Sequence, residues 1–259
     1  MTEMRFINVA AMTHAGVVRP DNQDSIVVGQ WLNSTPMQAP RTFQLTVHES
    51  ALCLVADGMG GHAAGAEASR RVGEFLRRRA PQLILAQGVD ATLKDANAVL
   101  FHAASEHTEW AGMGTTVAGM VFGSDGATWF NVGDSRIFRY RDKFLMQLSS
   151  DDVPINDAQF GRSHRITQAI GGSGTFCDVE PHIGHEPFHR GWQYLICSDG
   201  LTDMLDINDM ELILVEHAGS NAVFRLFQAA IEAGGADNIS IMLISCSEEG
   251  NPEGGENDS

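Results

Sequence analysis

The chain has 259 residues, of which 43% are apolar and 19% charged, and its formal net charge at pH 7 is −16. This length is enough for one large domain with a buried core, and the acidic balance argues against a protein that holds a nucleic-acid backbone. The four cysteines are widely spaced. We therefore expect reduced core cysteines and a cytoplasmic location, and without a long apolar run we expect no membrane association.

In chain order, the first elements are predicted to be strands. Residues 6–11 and 25–31 have strand character, and the stretch 13–24 between them is rich in Gly, Pro, Asp and Asn, which marks a loop. Asp24 therefore lies at an element boundary. Residues 33–40 contain two prolines and predict a surface excursion before a strand at 43–47.

The most informative stretch is 51–62. Six consecutive apolar residues predict a fully covered strand, and they end in Asp57-Gly58-Met59-Gly60-Gly61. Glycines permit positive φ and let the backbone approach a ligand closely. Asp-Gly after a strand is also the commonest hairpin signal, but this strand is too apolar for a hairpin with one face in solvent. We interpret it as a buried strand that delivers one carboxylate.

Two helices are predicted next. In 64–79, Ala64, Ala68, Val72, Phe75 and Leu76 share one face, and we interpret the arginines outside that face as a solvated surface rather than a partner patch. Pro81 is predicted to end this helix. A second helix is predicted to open with Asp90 as its N-cap and to run to residue 104.

A meander of antiparallel strands should follow, at 112–122, 127–132, 135–140 and 144–148. Residues 149–165 lose this pattern, which predicts a mobile loop over a site. Three histidines, His182, His185 and His189, invite a zinc interpretation. It is disfavoured, because they lie in a predicted loop with two prolines and no cysteine-rich segment nearby.

The strand-then-acid pattern recurs at 192–200, where an apolar run ends in Ser198-Asp199-Gly200. Helices are predicted at 208–217 and 220–233, with Ser220 as the N-cap of the second, and a closing strand is predicted at 239–246. Residues 247–259 contain no apolar residue. We predict a disordered acidic tail there and a single domain over 1–246.

Four acids thus occupy element ends: Asp57, Asp134, Asp199 and Asp237. Carboxylates gathered at buried strand ends repel one another unless a cation offsets their charge. Oxygen-only ligands suit hard ions such as Mg²⁺ or Mn²⁺. The pattern therefore predicts a divalent metal site.

Six short motifs carry a family resemblance that spans nearly the whole chain. In order they are Arg19-Pro20-Asp21-Asn22-Gln23-Asp24, Asp57-Gly58-Met59-Gly60-Gly61, Gly112-Met113-Gly114-Thr115-Thr116, Gly133-Asp134-Ser135-Arg136, Ser198-Asp199-Gly200-Leu201 and Asp237-Asn238-Ile239-Ser240. This ordered set resembles the metal-dependent serine/threonine protein phosphatases of type 2C, in a compact bacterial-style form. The resemblance implies an α+β fold, a four-layer α-β-β-α sandwich in which two antiparallel sheets pack face to face with helices outside.

The resemblance also implies a two-metal site at one end of the sandwich. Asp57 resembles the carboxylate that bridges both metals, and Gly58 resembles the residue whose carbonyl oxygen binds the second metal. Asp199 and Asp237 match the remaining ligands of the first metal.

Three further positions take roles from the same resemblance. Asp24 matches an acid that holds metal-bound water, and Asp134 matches the acid of a third, weaker metal. Arg19 matches the arginine that receives the substrate phosphate through its planar guanidinium. An ion pair of Arg19 with Asp21 or Asp24 in its own loop is the alternative.

The implied activity is hydrolysis of phosphoserine and phosphothreonine in proteins, by direct attack of a hydroxide held by two Mn²⁺ or Mg²⁺ ions. The implied partners are phosphorylated proteins and a cognate bacterial serine/threonine kinase whose action the enzyme reverses. We expect a monomer that binds no nucleic acid.

The sequence departs from the family pattern at two positions. Gln23 stands where the family usually has Glu near the second metal, so its amide oxygen can coordinate but one negative charge is missing. Met59 stands where animal members have a histidine suggested as proton donor. His62 lies three residues on, and we interpret it as a turn histidine and assign no general acid.

Two other classes of function remain open at this point. A phosphatase-like regulatory binding module would be expected to lose one of Asp57, Asp199 and Asp237, and all three are present. A two-metal nuclease or nucleotide hydrolase could use similar acids. The net charge and the lack of a basic, aromatic groove count against a nucleic-acid substrate.

Overall fold

A computed structural model describes residues 5–47, 50–154 and 166–248 of the chain. Its strands are Arg5–His14 (β1), Ser25–Val28 (β2), Trp31–Asn33 (β3), Arg41–Thr46 (β4), Ala51–Ala56 (β5), Gly58–Met59 (β6), Gly114–Thr115 (β7), Val117–Gly123 (β8), Gly126–Val132 (β9), Arg136–Arg141 (β10), Phe144–Gln147 (β11), Ile170–Gly171 (β12), His182–Pro187 (β13), Gln193–Cys197 (β14) and Ile239–Glu248 (β15). Its α-helices are His62–Arg78 (α1), Ala86–Glu106 (α2), Asp199–Thr202 (α3), Ile207–Glu216 (α4) and Gly219–Glu232 (α5).

Most of the strands belong to two six-stranded sheets. The strand order is β11-β10-β14-β15-β1-β4 in the first sheet and β13-β9-β8-β5-β2-β3 in the second. Neighbouring strands are antiparallel throughout both sheets. The short strands β6, β7 and β12 form a small third sheet beside the ends of the larger ones.

Three apolar layers hold the sheets and helices together. One lies between the two sheets, one between the second sheet and α1 and α2, and one between the first sheet and α3, α4 and α5. The architecture is therefore the four-layer α-β-β-α sandwich, and the predicted α+β class is confirmed.

The position of strand β5 in the fold explains why residues 51–56 are all apolar. Leu52 and Leu54 face the helices, whereas Cys53 and Val55 face the other sheet, and all four are fully buried. Successive side chains of a strand point to opposite faces, so a strand in the middle of a sandwich must be apolar at every position. Each fully buried large aliphatic side chain contributes about 1.5–3 kcal/mol to folding.

The predicted helix on residues 64–79 is α1, and its apolar face is confirmed because Ala64, Ala68, Val72 and Leu76 are buried. The arginines of α1 form ion pairs within the helix. Glu67 pairs with Arg70 and Arg71, and Glu74 pairs with Arg77 and Arg78, at 2.6–2.9 Å. These pairs support the interpretation of a solvated helix face.

Two predicted helix caps are wrong. Helix α2 begins at Ala86, so Asp90 lies inside it and pairs with Lys94 at 2.9 Å. Helix α5 begins at Gly219 after Ala218, so Ser220 lies within the first turn. A side-chain cap is present instead on α4, where the Asp206 carboxylate accepts a hydrogen bond from the Asp209 amide at 2.9 Å. Packing of the buried faces, rather than a polar cap, sets the start of α2 and α5.

Two predicted strand assignments also change. Residues 25–31 form a hairpin, β2 and β3, because Gly29 takes a φ of 56° and turns the chain. His182 and His185 lie in strand β13 rather than in a loop, and this strand forms the edge of the second sheet, whereas His189 follows the strand. Pro187 is tolerated there because an edge strand leaves one row of N–H groups unpaired.

All four cysteines are free; Cys53, Cys197 and Cys246 are buried, and Cys177 is exposed. Among the described helices, none is both long and apolar enough to cross a bilayer. Strand β15 runs to Glu248, two residues into the predicted tail, and residues 249–259 lie outside the described residues.

Candidate active site

Strand ends bring four carboxyl groups to one end of the sandwich. Asp57 follows β5 and Asp134 comes just after β9, both in the second sheet, whereas Asp199 follows β14 and Asp237 comes just before β15, both in the first. All four line one cavity of about 320 Å³. The structure therefore brings together, between the ends of the two sheets, the four acids that the sequence singled out.

The other predicted site residues lie in or directly beneath this cavity. Arg19, Gln23 and Gly58 line it, while Asp24 is fully buried. The remaining lining residues are Met59, Gly60, Gly61, Thr116, Ile166 and Asn238. His62 is the first residue of α1 and not a turn residue as interpreted from the sequence; its side chain lies outside the described part of the structure, so its lack of a catalytic role stays a prediction.

Burial makes these carboxyl groups hard to ionise. Burial, then the charges of neighbouring acids, raises the pKa of Asp57 well above its usual range. Burial and the charge of Asp237 raise the pKa of Asp199 to about 7, and burial and the charge of Asp199 raise that of Asp134 to about 7. At neutral pH this cluster therefore favours a partner of high positive charge.

Asp24 supports the cluster from below. Its Oδ2 accepts hydrogen bonds from Ser240 Oγ at 2.6 Å and from Ser198 Oγ at 2.9 Å. Burial raises the pKa of Asp24 to about 6, and the two hydroxyl donors oppose that rise. Ser198 and Ser240 flank Asp199 and Asp237, so the same motifs that supply two cavity acids also hold the buried one.

Two carboxylate oxygens in this region have no partner among the described residues. They are Oδ1 of Asp24 and Oδ1 of Asp199, both buried. A buried oxygen without a hydrogen bond costs about 1–3 kcal/mol, and a hard divalent cation would satisfy such oxygens. Together with the raised pKa values, these oxygens make the donor set fit Mg²⁺ or Mn²⁺.

The cavity carboxyl groups are not yet arranged around a common point. Burial and then the charges of Asp24 and Asp199 raise the pKa of Asp57, and Asp237 forms an ion pair with Arg19. As the side chains now lie, no three carboxyl, imidazole or thiol groups of the described residues stand close enough to share one ion. Ion binding would therefore reorient these side chains.

Arg19 forms an ion pair with Asp237, with Nη2 and Oδ2 2.7 Å apart. The hydrogen bond to Asp237, followed by its charge, raises the pKa of Arg19. This partner was not anticipated, because the alternative drawn from the sequence was an ion pair with Asp21 or Asp24. The guanidinium is half exposed, so it lies where a ligand in the cavity can reach it.

The backbone of Asp57 is held by two threonines, Thr115 at the end of β7 and Thr116 directly after it. Its carbonyl oxygen accepts hydrogen bonds from Thr115 Oγ1 at 2.8 Å and from the Thr116 amide at 2.9 Å, and its amide donates to Thr116 Oγ1 at 3.2 Å. Both threonines belong to one of the six sequence motifs, but no role could be predicted for them from the sequence. Their hydrogen bonds fix the backbone that carries the Asp57 carboxylate.

Gly58 and Gln23 pack against the first turn of α1. A Cβ at Gly58 would lie 2.1 Å from the Gly65 carbonyl oxygen, and a Cβ at Gly65 would lie 2.1 Å from Gln23 Oε1. Neither glycine can therefore carry a side chain without displacing a neighbour. The amide oxygen of Gln23 lies over Gly65, beside the peptide of Gly58.

Asn238 clamps the loop that carries Arg19. Its Nδ2 donates to the carbonyl oxygens of Asp21 at 2.9 Å and Ala15 at 3.0 Å, and its Oδ1 accepts from the Gln23 amide at 2.8 Å. Asn238 is almost fully buried. The sequence shows Asn238 beside Asp237 but does not reveal its role, since its three partners lie more than two hundred residues earlier in the chain.

The segment predicted to be a mobile loop is held in place at its start. Asp151 pairs with Arg136 at 2.6 Å, and Asp152 accepts a hydrogen bond from the Gly133 amide at 2.8 Å. Residues 155–165 lie outside the described residues, and Ile166 lines the cavity. These contacts anchor Asp151 and Asp152, and the mobility of the segment stays a prediction.

Of the three histidines considered as zinc ligands, His182 and His185 lie in β13 and His189 follows it. His182 Nε2 lies 2.9 Å from Asp152 Oδ1, and the ring of His189 packs on Trp192 with centroids 4.1 Å apart. The absence of zinc at these histidines stays a prediction.

Comparison with known proteins agrees with this architecture and site. The family model described as Protein phosphatase 2C matches residues 41–238, a span that contains all four cavity acids. The chain therefore belongs to the protein phosphatase 2C family.

Individual relatives match over most of the chain. The serine/threonine protein phosphatase PstP of Mycobacterium tuberculosis is 28% identical over 249 residues, 92% of this chain and 44% of PstP. The serine/threonine phosphatase stp of Listeria monocytogenes is 30% identical over 213 residues, 74% of this chain and 83% of that protein. This chain thus spans less than half the length of PstP.

A solved structure of the PstP catalytic domain in complex with two manganese ions has the same fold. It superimposes with a TM-score of 0.76 at 27% identity, covering 93% of this chain and 99% of that domain. The similarity therefore extends over both sheets and their helices.

Proposed function

We propose that the chain is a metal-dependent protein phosphatase that hydrolyses phosphoserine and phosphothreonine in proteins, with two Mn²⁺ or Mg²⁺ ions and a third, weaker ion. One observation carries the proposal. Four carboxyl groups, of which Asp57, Asp134 and Asp199 have a raised pKa, surround an open cavity whose rim holds an arginine. That arrangement has binding groups for cations and for a phosphate in the same place.

The proposed cation ligands are Asp57, the Gly58 carbonyl oxygen, Asp199 and Asp237. When bound, two such ions lower the pKa of water held between them and stabilise negative charge on the phosphoryl oxygens. Asp134 would serve the third ion, at the cavity wall formed by the β9–β10 turn. Family membership and the manganese in the PstP catalytic domain support this assignment.

The remaining residues act on substrate and water. Arg19 would bind the phosphate through two parallel N–H donors, a geometry that its planar guanidinium favours. Because Arg19 now pairs with Asp237, cation binding at Asp237 would release the guanidinium for the phosphate. Asp24 would hold a water through its unpartnered Oδ1, and Gln23 would contribute an amide oxygen beside Gly58.

The substrates follow from the names of the relatives, which are serine/threonine phosphatases. The proposal includes a cognate serine/threonine kinase whose products this enzyme dephosphorylates, a monomeric state and a cytoplasmic location. These finer points remain predictions. A regulatory binding module is less well supported, because the proposed metal-binding carboxylates Asp57, Asp199 and Asp237 are all present in one cavity.

The test is phosphate release from a phosphothreonine peptide and from a small aryl phosphate, with Mn²⁺, Mg²⁺, Ca²⁺ or a chelator present. We expect turnover with Mn²⁺ or Mg²⁺, little with Ca²⁺, whose longer and looser coordination suits a two-ion site poorly, and none with chelator. Undiminished turnover after exhaustive chelation would contradict metal dependence. Absence of turnover with every ion, in a folded protein that binds Mn²⁺, would favour the binding module.

A further inference from the structure

Asp152 is the centre of a hydrogen-bond network beside the cavity. Its Oδ2 accepts from the Gly133 amide at 2.8 Å and from Gln168 Nε2 at 3.0 Å, and its Oδ1 lies 2.9 Å from His182 Nε2. The carboxylate is only 12% exposed. Both of its oxygens are therefore engaged, with side-chain or backbone groups from three separate segments.

The backbone of Asp152 joins the same segments a second time. Its amide donates to the Gly133 carbonyl oxygen at 3.0 Å, and its carbonyl oxygen accepts from the Thr167 amide at 2.7 Å. Asp152 thus forms two hydrogen bonds with Gly133, one through its side chain and one through its backbone. Contact through both groups fixes the relative orientation of the two segments more firmly than one bond would.

The segments that Asp152 joins are two walls of the cavity. Gly133 directly precedes Asp134, and Thr167 and Gln168 directly follow Ile166, and both Asp134 and Ile166 line the cavity. Neither wall is secured by a long strand pairing at this point. Gly133 has a φ of 101°, and Ile166 lies four residues before the short strand β12.

Building on the proposed phosphatase function, we propose that Asp152 is a positioning residue that sets the place of Asp134 relative to the opposite cavity wall at Ile166. It touches no substrate. It acts by holding the Gly133 peptide, and through it the carboxylate that would serve the third ion, in the orientation needed for turnover.

The network is built for a carboxylate at this position. All three groups that face Asp152 from outside its own backbone are donors or can donate, namely the Gly133 amide, the Gln168 amide group and the His182 ring. Gln168 is in turn held by its own Oε1, which accepts from the Glu180 amide at 2.5 Å. An alanine would leave the Gly133 N–H without its side-chain acceptor and would free Gln168.

An asparagine is the informative conservative change. Its Oδ1 can accept from Gly133 and Gln168, and its Nδ2 can donate to the unprotonated Nε2 of His182. Asp152→Asn should therefore preserve most of the network, whereas Asp152→Ala should remove it. Asp125→Ala is a matched control, because Asp125 lies in the β8–β9 turn, where its carboxylate accepts only from Ser124 Oγ among the bonds found there.

The first arm of the test needs no metal and no activity. Amide hydrogen exchange of the metal-free protein should be faster in Asp152→Ala than in wild type at both 131–136 and 166–169, and near wild type in Asp152→Asn and Asp125→Ala. Unchanged exchange at either wall in Asp152→Ala would overturn the proposal. This arm holds whatever the protein's activity is.

The second arm measures turnover of a phosphothreonine peptide against Mn²⁺ concentration. We expect Asp152→Ala to lower kcat about tenfold, as misplacement of a site group does, and to raise the Mn²⁺ concentration for half-maximal rate, with recovery to within about threefold of wild type in Asp152→Asn. Equal losses of kcat in Asp152→Ala and Asp152→Asn would overturn the proposal. A loss of kcat in Asp152→Ala that disappears at temperatures well below its melting transition would also overturn it, because the loss would then come from unfolding. An inactive wild type would refute the phosphatase function and leave the exchange arm to decide on Asp152.

Should Asp152→Ala fail to fold, Gln168→Ala removes the contact to one wall alone. It should speed exchange at 166–169 and lower kcat with Gly133 still protected. Wild-type exchange and kcat in Gln168→Ala would then overturn the proposal.

Discussion

At the scale of single residues, the site depends on carboxyl groups whose ionisation opposes folding until a cation arrives. Burial and then the charge of Asp237 raise the pKa of Asp199 from its ordinary value of 3.8 to about 7. Burial and then the charge of Asp199 raise the pKa of Asp134 to about 7 as well. Burial raises the pKa of Asp24 to about 6. An acid whose pKa is higher in the folded state binds more protons there. Its contribution is therefore complete below pH 4 and is lost as pH rises toward 7.

We accordingly expect these groups to make the metal-free protein less stable as pH rises from about 4 to about 7. Calorimetry in chelator should show a falling melting temperature, by about 2–4 °C for each kcal/mol in a domain of this size. Saturating Mn²⁺ should reverse the trend, since cation binding favours the ionised form. Asp199→Asn should flatten it, and a metal-free melting temperature that rises toward pH 7 would show that the acids are already compensated.

Gln23 is the second residue whose chemistry can be tested alone. Its Oε1 lies over Gly65 beside Gly58, so a carboxylate there would add one negative charge at the proposed second ion. We expect Gln23→Glu to lower the Mn²⁺ concentration for half-maximal activity while changing saturated turnover less. Superimposable metal titrations of wild type and Gln23→Glu would remove Gln23 from the site.

Among the secondary-structure elements, the strands that carry the acids could be predicted from the sequence, but the starts of α2 and α5 could not. The apolar runs before Asp57 and Asp199 could belong only to covered strands, so both acids were correctly placed at strand ends. Asp90 looked like a cap because polar N-caps are common. Helix α2 begins four residues earlier because Val89 is buried against the core, and burial outweighs a cap.

Strand β13 was missed for a related reason. Its two flanking prolines predict a loop, yet an edge strand can end in proline without losing a ladder hydrogen bond. Pairing with β9 along six residues is a tertiary feature that the local sequence does not contain.

The loop between β1 and β2 gives an element-scale prediction. Asn238 holds it with three hydrogen bonds to Ala15, Asp21 and Gln23. Asn238→Ala should cost about 1–3 kcal/mol, because it leaves the Gln23 N–H unsatisfied, and should raise KM for a phosphopeptide more than it lowers kcat, because Arg19 is no longer fixed.

The control for this change is Asn221→Ala, at an exposed asparagine of α5 with one hydrogen bond to His217. Denaturant unfolding and steady-state kinetics of both variants provide the comparison. Equal KM values in Asn238→Ala and wild type would show that Arg19 does not depend on this clamp.

Across the whole fold, the sandwich brings segments that are distant in sequence together at one end. Arg19 meets Asp237, and Asp24 accepts from Ser198 and Ser240. Such pairs join residues that the chain separates by most of its length. The ordered motifs predicted that these segments meet, but the partner of Arg19 and the roles of Asn238 and Asp152 required coordinates, because hydrogen-bond geometry depends on backbone positions.

We propose that the acid-lined cavity hydrolyses phosphorylated protein with the help of bound cations. The most direct test of this proposal is phosphate release from a phosphothreonine peptide at saturating Mn²⁺ by wild type, Asp57→Asn and the remote control Asp125→Asn. We predict turnover in wild type and Asp125→Asn and loss of most turnover in Asp57→Asn, with cooperative unfolding retained in all three. Turnover by Asp57→Asn at the wild-type rate would contradict the claim.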